Sequence, residues 1–290
     1  MQSIAICITS FNRRSRTLAC LRRIYGLELP GGTSLRVHLL DDASSDGTAD
    51  AVAVAFPQVQ LHHGDGAHYW AGGMRIAYAA ALAEGHDYYV WLNDDVELFS
   101  DAMVRALSTL ENLRSVHGGE HVIVGAMCDR ERQGPTYSGY SQPSRLFPWK
   151  LRKLPPLPDR PRECFTLNGN FVLIPSEIAH KIGNIDPAYI QMHADLALGI
   201  LARRNGARNW ILPGFVGVCE LNVSGRKDWT APGLSISERF KRMEHPLGFP
   251  LRPNLAYSRH FKGWAPIVVA APYLGLIRAA LSDVKSAFRR

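Results

Sequence analysis

Short apolar runs alternate with segments of helical periodicity over the first hundred residues. The run 3–9 (SIAICIT) predicts a strand, and apolar positions over 17–24 then recur at helical spacing. A second run at 35–40 is followed by an alanine- and valine-rich helix over about 49–56. Further strands are predicted at about 59–62, 88–92, 122–127 and 164–174, and further helices at about 74–84, 177–182 and 193–204. This repetition of strand and helix predicts an α/β sheet.

Two later segments depart from this alternation. Residues 129–162 are rich in Pro, Arg and Tyr, which predicts a loop insertion that is either mobile or faces an acceptor molecule. From about Ser235 the chain is basic, and the apolar stretch 264–281 within it is broken by Pro266 and Pro272. We expect a helical tail there, with Leu274, Ile277, Arg278 and Leu281 at helical spacing. Such a basic amphipathic segment either rests on an anionic membrane or packs against the core or a second subunit.

Composition adds a preference for anions. The 33 Lys and Arg against 26 Asp and Glu, with a pI near 9.3, favour nucleotide phosphates, acidic lipid headgroups or nucleic acid as partners. No groove-reading motif supports nucleic acid. The five cysteines lack C-x-x-C spacing, so they indicate neither a disulfide framework nor a zinc site. With no basic region before the short first apolar run, we expect no signal peptide and a cytoplasmic location.

Polar residues collect where the predicted strands end. Ser10–Arg14 follows the first strand, Asp41 and Asp42 follow the second, and Asn93 to Asp95 follow the strand at 88–92. In open α/β sheets, ligands bind outside the carboxyl ends of the strands. The sequence therefore predicts one shared site. The acidic cluster within it offers oxygen ligands for Mg²⁺ or Mn²⁺, although a polar turn after a strand is the alternative.

Three motifs in order carry a resemblance to a known family. They are T-S-F-N-R at 9–13, L-L-D-D-A-S-S-D-G-T at 39–48 and W-L-N-D-D-V at 91–96. Over about residues 3–225 the chain resembles the family-2 glycosyltransferases, particularly bacterial rhamnosyltransferase-like members. The resemblance implies a GT-A fold: a mixed, Rossmann-like nucleotide-binding sheet with helices on both faces. It also implies that Asp95 holds the metal and that Asn93 and Asp94 contact the donor, although Asn93 departs from the usual acidic residue.

The resemblance assigns further residues to the nucleotide-sugar donor. Thr9, Phe11 and Arg13 line the nucleotide pocket, and Asp41 or Asp42 accepts hydrogen bonds from the base or ribose. A carboxylate suits the imide N–H of uracil or thymine.

The segment before the predicted helix at 74–84 contains Gly72 and Gly73, which would leave amides free for phosphate. Arg75 would reach the diphosphate. Trp70, just before these glycines, would line the acceptor or sugar pocket. The alternative is a simple turn, with Trp70 in the core.

The resemblance places the acceptor side of the site in residues 164–205. The resemblance makes Asp195 the catalytic base, which removes the proton of the acceptor hydroxyl in an inverting transfer. A carboxylate that stabilises a helix N-terminus is the alternative. Asn168, Gly169 and Asn170 would shape the sugar pocket, and His193 has a weaker claim to the acceptor. The third metal ligand stays open between Glu220, Asn222 and water.

Together these features predict an enzyme whose residues 1–115 bind the donor and whose residues 116–230 bind the acceptor, with a helical extension at 231–290. The reaction would move a sugar, with rhamnose as the leading candidate, from a dTDP or UDP carrier to a glycan or lipid-linked hydroxyl in bacterial surface polysaccharide synthesis. Such an enzyme could form a homodimer and could contact the inner face of the membrane through its C-terminal tail. The rivals are a sugar-phosphate nucleotidyltransferase and a non-catalytic carbohydrate-binding scaffold.

Overall fold

A mixed β-sheet forms the centre of the computed structural model, which describes residues 2–131, 133–221, 228–261 and 264–287. The strands are β1 (Ser3–Ser10), β2 (Ser34–Asp41), β3 (Gln60–His63), β4 (Tyr88–Leu92), β5 (Glu97–Leu98), β6 (His121–Cys128), β7 (Pro135–Tyr137), β8 (Gly139–Ser141), β9 (Arg152–Lys153), β10 (Arg162–Cys164), β11 (Thr166–Leu167), β12 (Phe171–Pro175) and β13 (Arg208–Val218). The helices are α1 (Arg14–Tyr25), α2 (Thr48–Ala55), α3 (Tyr69–Glu84), α4 (Ala102–His117), α5 (Ser176–Ile182), α6 (Ala194–Arg204), α7 (Ile236–Glu244), α8 (Leu251–Ser258) and α9 (Ala265–Ala287).

The strand order is β10-β13-β6-β12-β4-β1-β2-β3, with β5 paired to β13 and β7 paired to β6. Strands β1 to β4 run parallel to their neighbours among themselves, whereas β12 is antiparallel to both β4 and β6. A separate three-stranded sheet has the order β11-β8-β9. The predicted mixed α/β sheet is therefore confirmed.

Helices cover both faces of the sheet, and alternate residues of β1 pack in two different cores. Ala5 and Cys7 pack in the core on the α3 side, together with residues of α5 and α6. The isoleucines at 4, 6 and 8 pack on the opposite side with α1, α2 and α4. Because successive strand residues face opposite ways, a strand buried on both sides is apolar throughout. This explains the unbroken apolar run at 3–9.

The strands predicted at 3–9, 35–40, 88–92 and 122–127 are confirmed within a residue or two. Three expectations are wrong in part. The strand predicted at 164–174 is divided among β10, β11 and β12, because residues 168–170 turn between β11 and β12. The helix predicted to start at Met74 begins at Tyr69, so Gly72 and Gly73 lie inside it. The segment 129–162 is not a continuous loop, because β7, β8 and β9 lie within it.

The C-terminal segment is helical, as expected. Helix α7 begins with a capping box in which Ser235 and Glu238 bond to each other's backbone amides. Helix α8 packs into the core on the α3 side through Ala256 and Tyr257. Helix α9 contains Pro272 without ending there. Over the part of the chain that the structure describes, none of the helices combines the length and apolarity required to cross a membrane.

Candidate active site

The sheet brings the three predicted polar clusters to one edge. Ser10 and Asp41, the last residues of β1 and β2, are register partners, and β4 lies on the other side of β1. Residues that follow these three strands therefore project from the same carboxyl-terminal edge. Antiparallel β12 begins at this edge, because Phe171 is the register partner of Leu92. The topology thus places residues 168–170 beside Asn93 to Asp95.

One arginine holds both carboxylates of the acidic cluster. Arg13 Nη1 donates to Asp94 Oδ1 at 3.0 Å and to Asp95 Oδ2 at 2.8 Å. Asp94 is 4% exposed, and its burial raises its pKa to about 6, against the opposing effect of Arg13. The pKa of Arg13 is raised because the attraction of the two carboxylates exceeds the effect of its own burial. Arg16 Nη1 also lies 3.8 Å from Asp95 Oδ2, so two guanidinium groups face the two carboxylates in this corner.

Neighbouring side chains complete the surroundings of Asp95. Cys219 Sγ lies 3.5 Å from Asp95 Oδ1, and Asn170 Nδ2 lies 3.5 Å from the same sulfur. Glu220, one of the candidates for a third metal ligand, accepts a hydrogen bond from the backbone N–H of Arg130 at 3.1 Å. The other candidate, Asn222, lies outside the described residues. Hard divalent ions prefer oxygen ligands, so the carboxylates of Asp94 and Asp95 fit Mg²⁺ or Mn²⁺.

The two aspartates after β2 have different environments. Asp42 accepts three backbone N–H bonds, from Gly66 at 2.9 Å, His68 at 3.0 Å and Tyr69 at 3.1 Å. Asp41 Oδ2 accepts from Ser44 N at 3.0 Å, whereas its Oδ1 is buried and has no partner among the described residues. Asp42 therefore anchors the loop before α3. Asp41 keeps the acceptor atom that a base or ribose requires.

Thr9, in β1, and Phe11, in the loop after β1, flank this corner. The Phe11 side chain is 50% exposed, which is unusual for a large apolar residue and suits stacking against a planar base. Thr9 is buried beneath α3, where a side chain on Gly73 would overlap it. Phe11 thus offers an open surface to a ligand, and Thr9 sets how closely α3 approaches β1.

The glycines of α3 do not present free amides. The backbone N–H groups of Ala71 and Gly72 both donate to Ile190 O, at 2.8 and 3.1 Å. The expectation that these glycines form a phosphate-binding loop before the helix is wrong, because they lie within the first two turns and are buried. Arg75 follows them. Its Nη1 is buried without a hydrogen-bond partner in the described part of the chain.

Asp195 lies in the first turn of α6, surrounded by hydrogen-bond donors. Its Oδ2 accepts from Asn168 Nδ2 at 3.3 Å and from Gly169 N at 3.2 Å, and its Oδ1 accepts from Leu196 N at 2.8 Å. The carboxyl group is packed among protein atoms, and this burial raises its pKa despite the hydrogen bonds. A carboxylate held this way is a stronger proton acceptor than an exposed one.

A short chain of contacts joins Asp195 to the acidic cluster. Trp70 Nε1 donates to Asn93 Oδ1 at 2.8 Å. The Trp70 ring also covers Gly169 so closely that a Cβ there would lie 2.7 Å from it. Gly169 in turn donates to Asp195. Asn168 contacts Asp195, whereas Asn170 contacts Cys219 on the Asp95 side, so the segment 168–170 links the two carboxylate sites.

His193 makes contacts on the other side of this loop. Its Nε2 lies 3.1 Å from Asn254 Oδ1, and its ring stacks on Tyr257 with 4.3 Å between centroids. Burial lowers the pKa of His193 to about 4, which keeps the imidazole neutral. The residue has a φ of 73° and precedes α6 directly. These contacts attach the start of α6 to α8.

Sequence reasoning missed two tyrosines near Asp195. Tyr140 OH donates to Asn168 Oδ1 at 2.9 Å, and burial together with Asp195 raises the pKa of Tyr140 to about 12. Burial and Asp195 also raise the pKa of Tyr257, whose hydroxyl has no hydrogen-bond partner in the described residues. Tyr140 lies in β8, within the segment expected to be a loop, and Tyr257 lies in the tail. No local motif marks either residue.

The sequence profile described as glycosyl transferase family 2 matches residues 5–171, which is more than half of the chain. The protein therefore belongs to glycosyl transferase family 2. No curated protein sequence matches the chain significantly.

Solved structures support the same fold at low identity. A mannosyltransferase, PcManGT from Pyrobaculum calidifontis in complex with GDP-Man and Mn²⁺, is 16% identical with a TM-score of 0.54, covering 98% of this chain and 74% of its own. S. aureus TarS 1–349 is 12% identical with a TM-score of 0.56, covering 98% and 88%. GalNAc-T7 with UDP, GalNAc and Mn²⁺ is 12% identical with a TM-score of 0.56, covering 89% and 50%. The GT-A fold is thereby confirmed.

Proposed function

We propose that this glycosyltransferase is an inverting, metal-dependent enzyme. It takes a sugar from a nucleoside-diphosphate sugar and transfers it to a hydroxyl of a glycan or lipid-linked acceptor. The observation that carries the proposal is the segment 168–170, which joins the buried carboxylate of Asp195 to the Asp94–Asp95 cluster. Related structures with GDP-Man and with UDP-GlcNAc support a nucleotide-sugar donor.

The donor would bind along the carboxyl edge of β1, β2 and β4. Phe11 offers a face for the base, and Asp41 Oδ1 accepts its imide or ribose hydrogen. Arg13, which contacts Asp95, would lie beside the diphosphate and add positive charge there. We assign the donor to residues 1–115 and the acceptor to residues 116–230. A dTDP or UDP carrier fits the carboxylate at 41, which can accept the imide N–H of the base. Rhamnose remains the sugar that we propose from the resemblance of the sequence motifs.

Asp95, with Asp94 behind it, would hold Mn²⁺ or Mg²⁺. When bound, the ion would neutralise negative charge on the diphosphate as it leaves. Arg13 supplies positive charge at this place in the ligand-free protein. The related structures of PcManGT and GalNAc-T7 contain Mn²⁺, which supports the choice of metal.

Asp195 would act as the general base. Its carboxylate takes the proton of the acceptor hydroxyl while that oxygen forms a bond to the anomeric carbon. The bond from that carbon to the diphosphate oxygen breaks at the same time, and the diphosphate leaves with the bonding electrons. The donors Asn168 and Gly169 orient the carboxylate, and its raised pKa favours proton uptake.

Calorimetry with nucleoside diphosphates tests the donor site. Wild type, Asp95→Ala and the control Asp50→Ala, which alters an exposed carboxylate of α2, are titrated with UDP, dTDP and GDP in the presence and absence of Mn²⁺. We expect metal-dependent binding of one nucleotide that is lost in Asp95→Ala and kept in the control. Absence of binding to all three nucleotides at saturating metal would overturn the proposal.

The base is tested separately by Asp195→Asn, which keeps the size and removes the charge. We expect nucleotide binding to be unchanged and sugar transfer, or donor hydrolysis, to fall by about 10²–10⁴-fold. Wild-type binding without any transfer would instead favour a carbohydrate-binding scaffold. Formation of a nucleotide sugar from a sugar phosphate would favour the nucleotidyltransferase.

We also propose that the tail rests on the anionic inner surface of the membrane, where lipid-linked acceptors for surface polysaccharide lie. Exposed apolar side chains lie on one face of α9, at Ile267, Leu274, Ile277 and Leu281. Arg278 is exposed beside them. Apolar and basic residues together are typical of surface-bound helices.

A further inference from the structure

Three histidines and a glutamate meet at the far end of α3 from the candidate active site. His38 lies in β2 and His62 in β3, Glu84 is the last residue of α3, and His86 lies two residues after it. The first residues of α3 bond to Asp42 at the donor edge, and the helix is 16 residues, or about 24 Å, long. The cluster is thus separate from Asp95, and the proposed transfer uses none of its residues.

The distances in this cluster match those between ligands of one metal ion. Glu84 Oε2 lies 3.4 Å from His86 Nε2 and 3.6 Å from His38 Nε2. One atom from each of the three residues lies within 4.8 Å of the others. Tetrahedral Zn²⁺ with ligands at about 2.0–2.1 Å holds any two ligand atoms about 3.3–3.4 Å apart. Direct hydrogen bonds would be shorter than these separations.

Buried ring nitrogens in the cluster have no hydrogen-bond partner. His38 is 0% exposed, and its Nε2 is unpartnered among the described residues. Both ring nitrogens of His86 are also buried and unpartnered there. Buried polar atoms are otherwise almost always paired, because desolvation without a partner is unfavourable. A metal ion would pair the Nε2 atoms of both rings at once.

We propose that His38, Glu84 and His86 bind Zn²⁺. Two imidazoles and a carboxylate are ligands that suit this ion, with water in the fourth position on the exposed side of Glu84. The site would join the end of α3 to β2 and to the loop before β4. Its role would be to stabilise this end of the fold.

His62 would act as the outer partner of the site. His38 Nδ1 lies 3.3 Å from His62 Nε2, and the two rings are stacked. With the proton on His38 Nδ1, this nitrogen donates to His62 and leaves a lone pair on His38 Nε2 for the metal.

Arg36 is the group that competes with a metal here. Its Nε lies 3.6 Å from Glu84 Oε2, the same oxygen that faces both histidines. The guanidinium is about half exposed, so its pairing with Glu84 is screened by water and can be exchanged. Replacing Arg36 by alanine should therefore tighten metal binding rather than weaken it.

Titration of the chelator-treated full chain with Zn²⁺, followed by calorimetry and thermal unfolding, tests the proposal. We expect one Zn²⁺ equivalent that raises the Tm and is lost in Glu84→Ala and His86→Ala. It should persist in Asp95→Ala and in the exposed control His180→Ala. His62→Ala should weaken binding by about 10–100-fold, as outer partners of metal ligands do.

Anomalous diffraction at the zinc edge locates the ion independently of stability. A peak between His38 Nε2, His86 Nε2 and Glu84 supports the site, as does tighter binding in Arg36→Ala. Zinc binding that is unchanged in folded Glu84→Ala and His86→Ala would overturn the proposal. So would a wild-type protein that binds no Zn²⁺ at this place when the metal is in excess.

Discussion

Asp94 shows how one buried side chain of the site affects folding. Its pKa rises from the ordinary value of 3.8 to about 6, chiefly because the carboxyl is buried. A difference of this size corresponds to about 3 kcal/mol of preference for the neutral form in the folded protein. Strongly shifted carboxyl groups are typical of functional sites, where charge is concentrated for a ligand. At neutral pH, Asp94 is therefore held ionised at the expense of stability.

The pH dependence of stability tests this consequence. Between pH 4 and 6 the folded protein binds more protons at Asp94 than the unfolded chain does, so its contribution to stability falls as pH rises. The free energy of unfolding of wild type relative to Asp94→Asn should thus decrease by up to about 3 kcal/mol from pH 4 to 7. Urea unfolding at several pH values measures it.

Asp87 provides a control of opposite sign. Hydrogen bonds from Ser3 lower the pKa of Asp87, so its contribution is present at neutral pH and is lost as pH falls through that lowered value. Wild type relative to Asp87→Asn should gain stability as pH rises from 3. If Asp94→Asn behaved in the same direction as Asp87→Asn, the burial argument for Asp94 would be wrong.

The sequence could predict only those site residues that directly follow a predicted strand. The ends of β1, β2 and β4 place Arg13, Asp41 and Asp94 at one edge, and this convergence followed from the apolar runs alone. The division of roles between Asp41 and Asp42 did not. It depends on backbone amides of residues 66–69, whose positions are set by a loop without periodicity. Direct contacts of these residues with a donor stay predictions.

At the scale of elements, the start of α3 is where the sequence was misleading. Adjacent glycines usually mark turns, because they lower helix propensity. In α3, tertiary packing instead requires glycine inside the helix. A Cβ on Gly73 would overlap Thr9 and lie 2.8 Å from Leu40, so the helix approaches the sheet only without a side chain there. Gly72 faces His68, with a Cβ contact of 3.3 Å.

Alanine substitutions at these two glycines separate packing from propensity. Gly73→Ala should destabilise the protein by about 1–3 kcal/mol, since the core must shift to admit a methyl group. Gly72→Ala should be near neutral, because its tight contact with His68 is offset by the gain in helix propensity. Thermal and urea unfolding measure both. Thr9→Ala should partly rescue Gly73→Ala, and equal losses in the two glycine variants would contradict the packing argument.

The histidine cluster at the other end of α3 has a signal in the sequence that pattern reasoning did not use. His38, His62 and His86 recur at intervals of 24 residues in successive strand regions. Metal motifs are normally sought at short spacing within one loop or helix. Parallel strands instead bring together residues that are distant along the chain. The sheet order β1-β2-β3 is needed before the cluster becomes visible.

At the scale of the molecule, strand direction builds the site. The apolar runs predicted most strands, but they carry no information on the antiparallel insertion of β12 between β4 and β6. That insertion turns the start of β12 towards the end of β4, so residues 168–170 reach both Asp195 and the Asp95 corner. The base and the acidic cluster therefore meet only in the complete fold.

The last prediction concerns the surface formed by α9. Ile267, Leu274, Ile277 and Leu281 lie within about 80° of one another around the helix axis, at about 100° per residue, and each is about half exposed. Burying two such side chains in a membrane interface contributes several kcal/mol, and basic neighbours add attraction to anionic lipid. We expect wild type to sediment with vesicles containing phosphatidylglycerol, and less with neutral vesicles or at high salt.

The double variant Leu274→Ser with Ile277→Ser should bind these vesicles at least about tenfold more weakly, because each serine removes one large apolar side chain. Val54→Ser, which alters an exposed apolar residue of α2, is the matched control and should bind as wild type. Sedimentation velocity without lipid tests the alternative that a second copy of the chain covers this face. A dimer that dissociates in the double variant, together with equal binding to neutral and anionic vesicles, would assign α9 to a subunit interface.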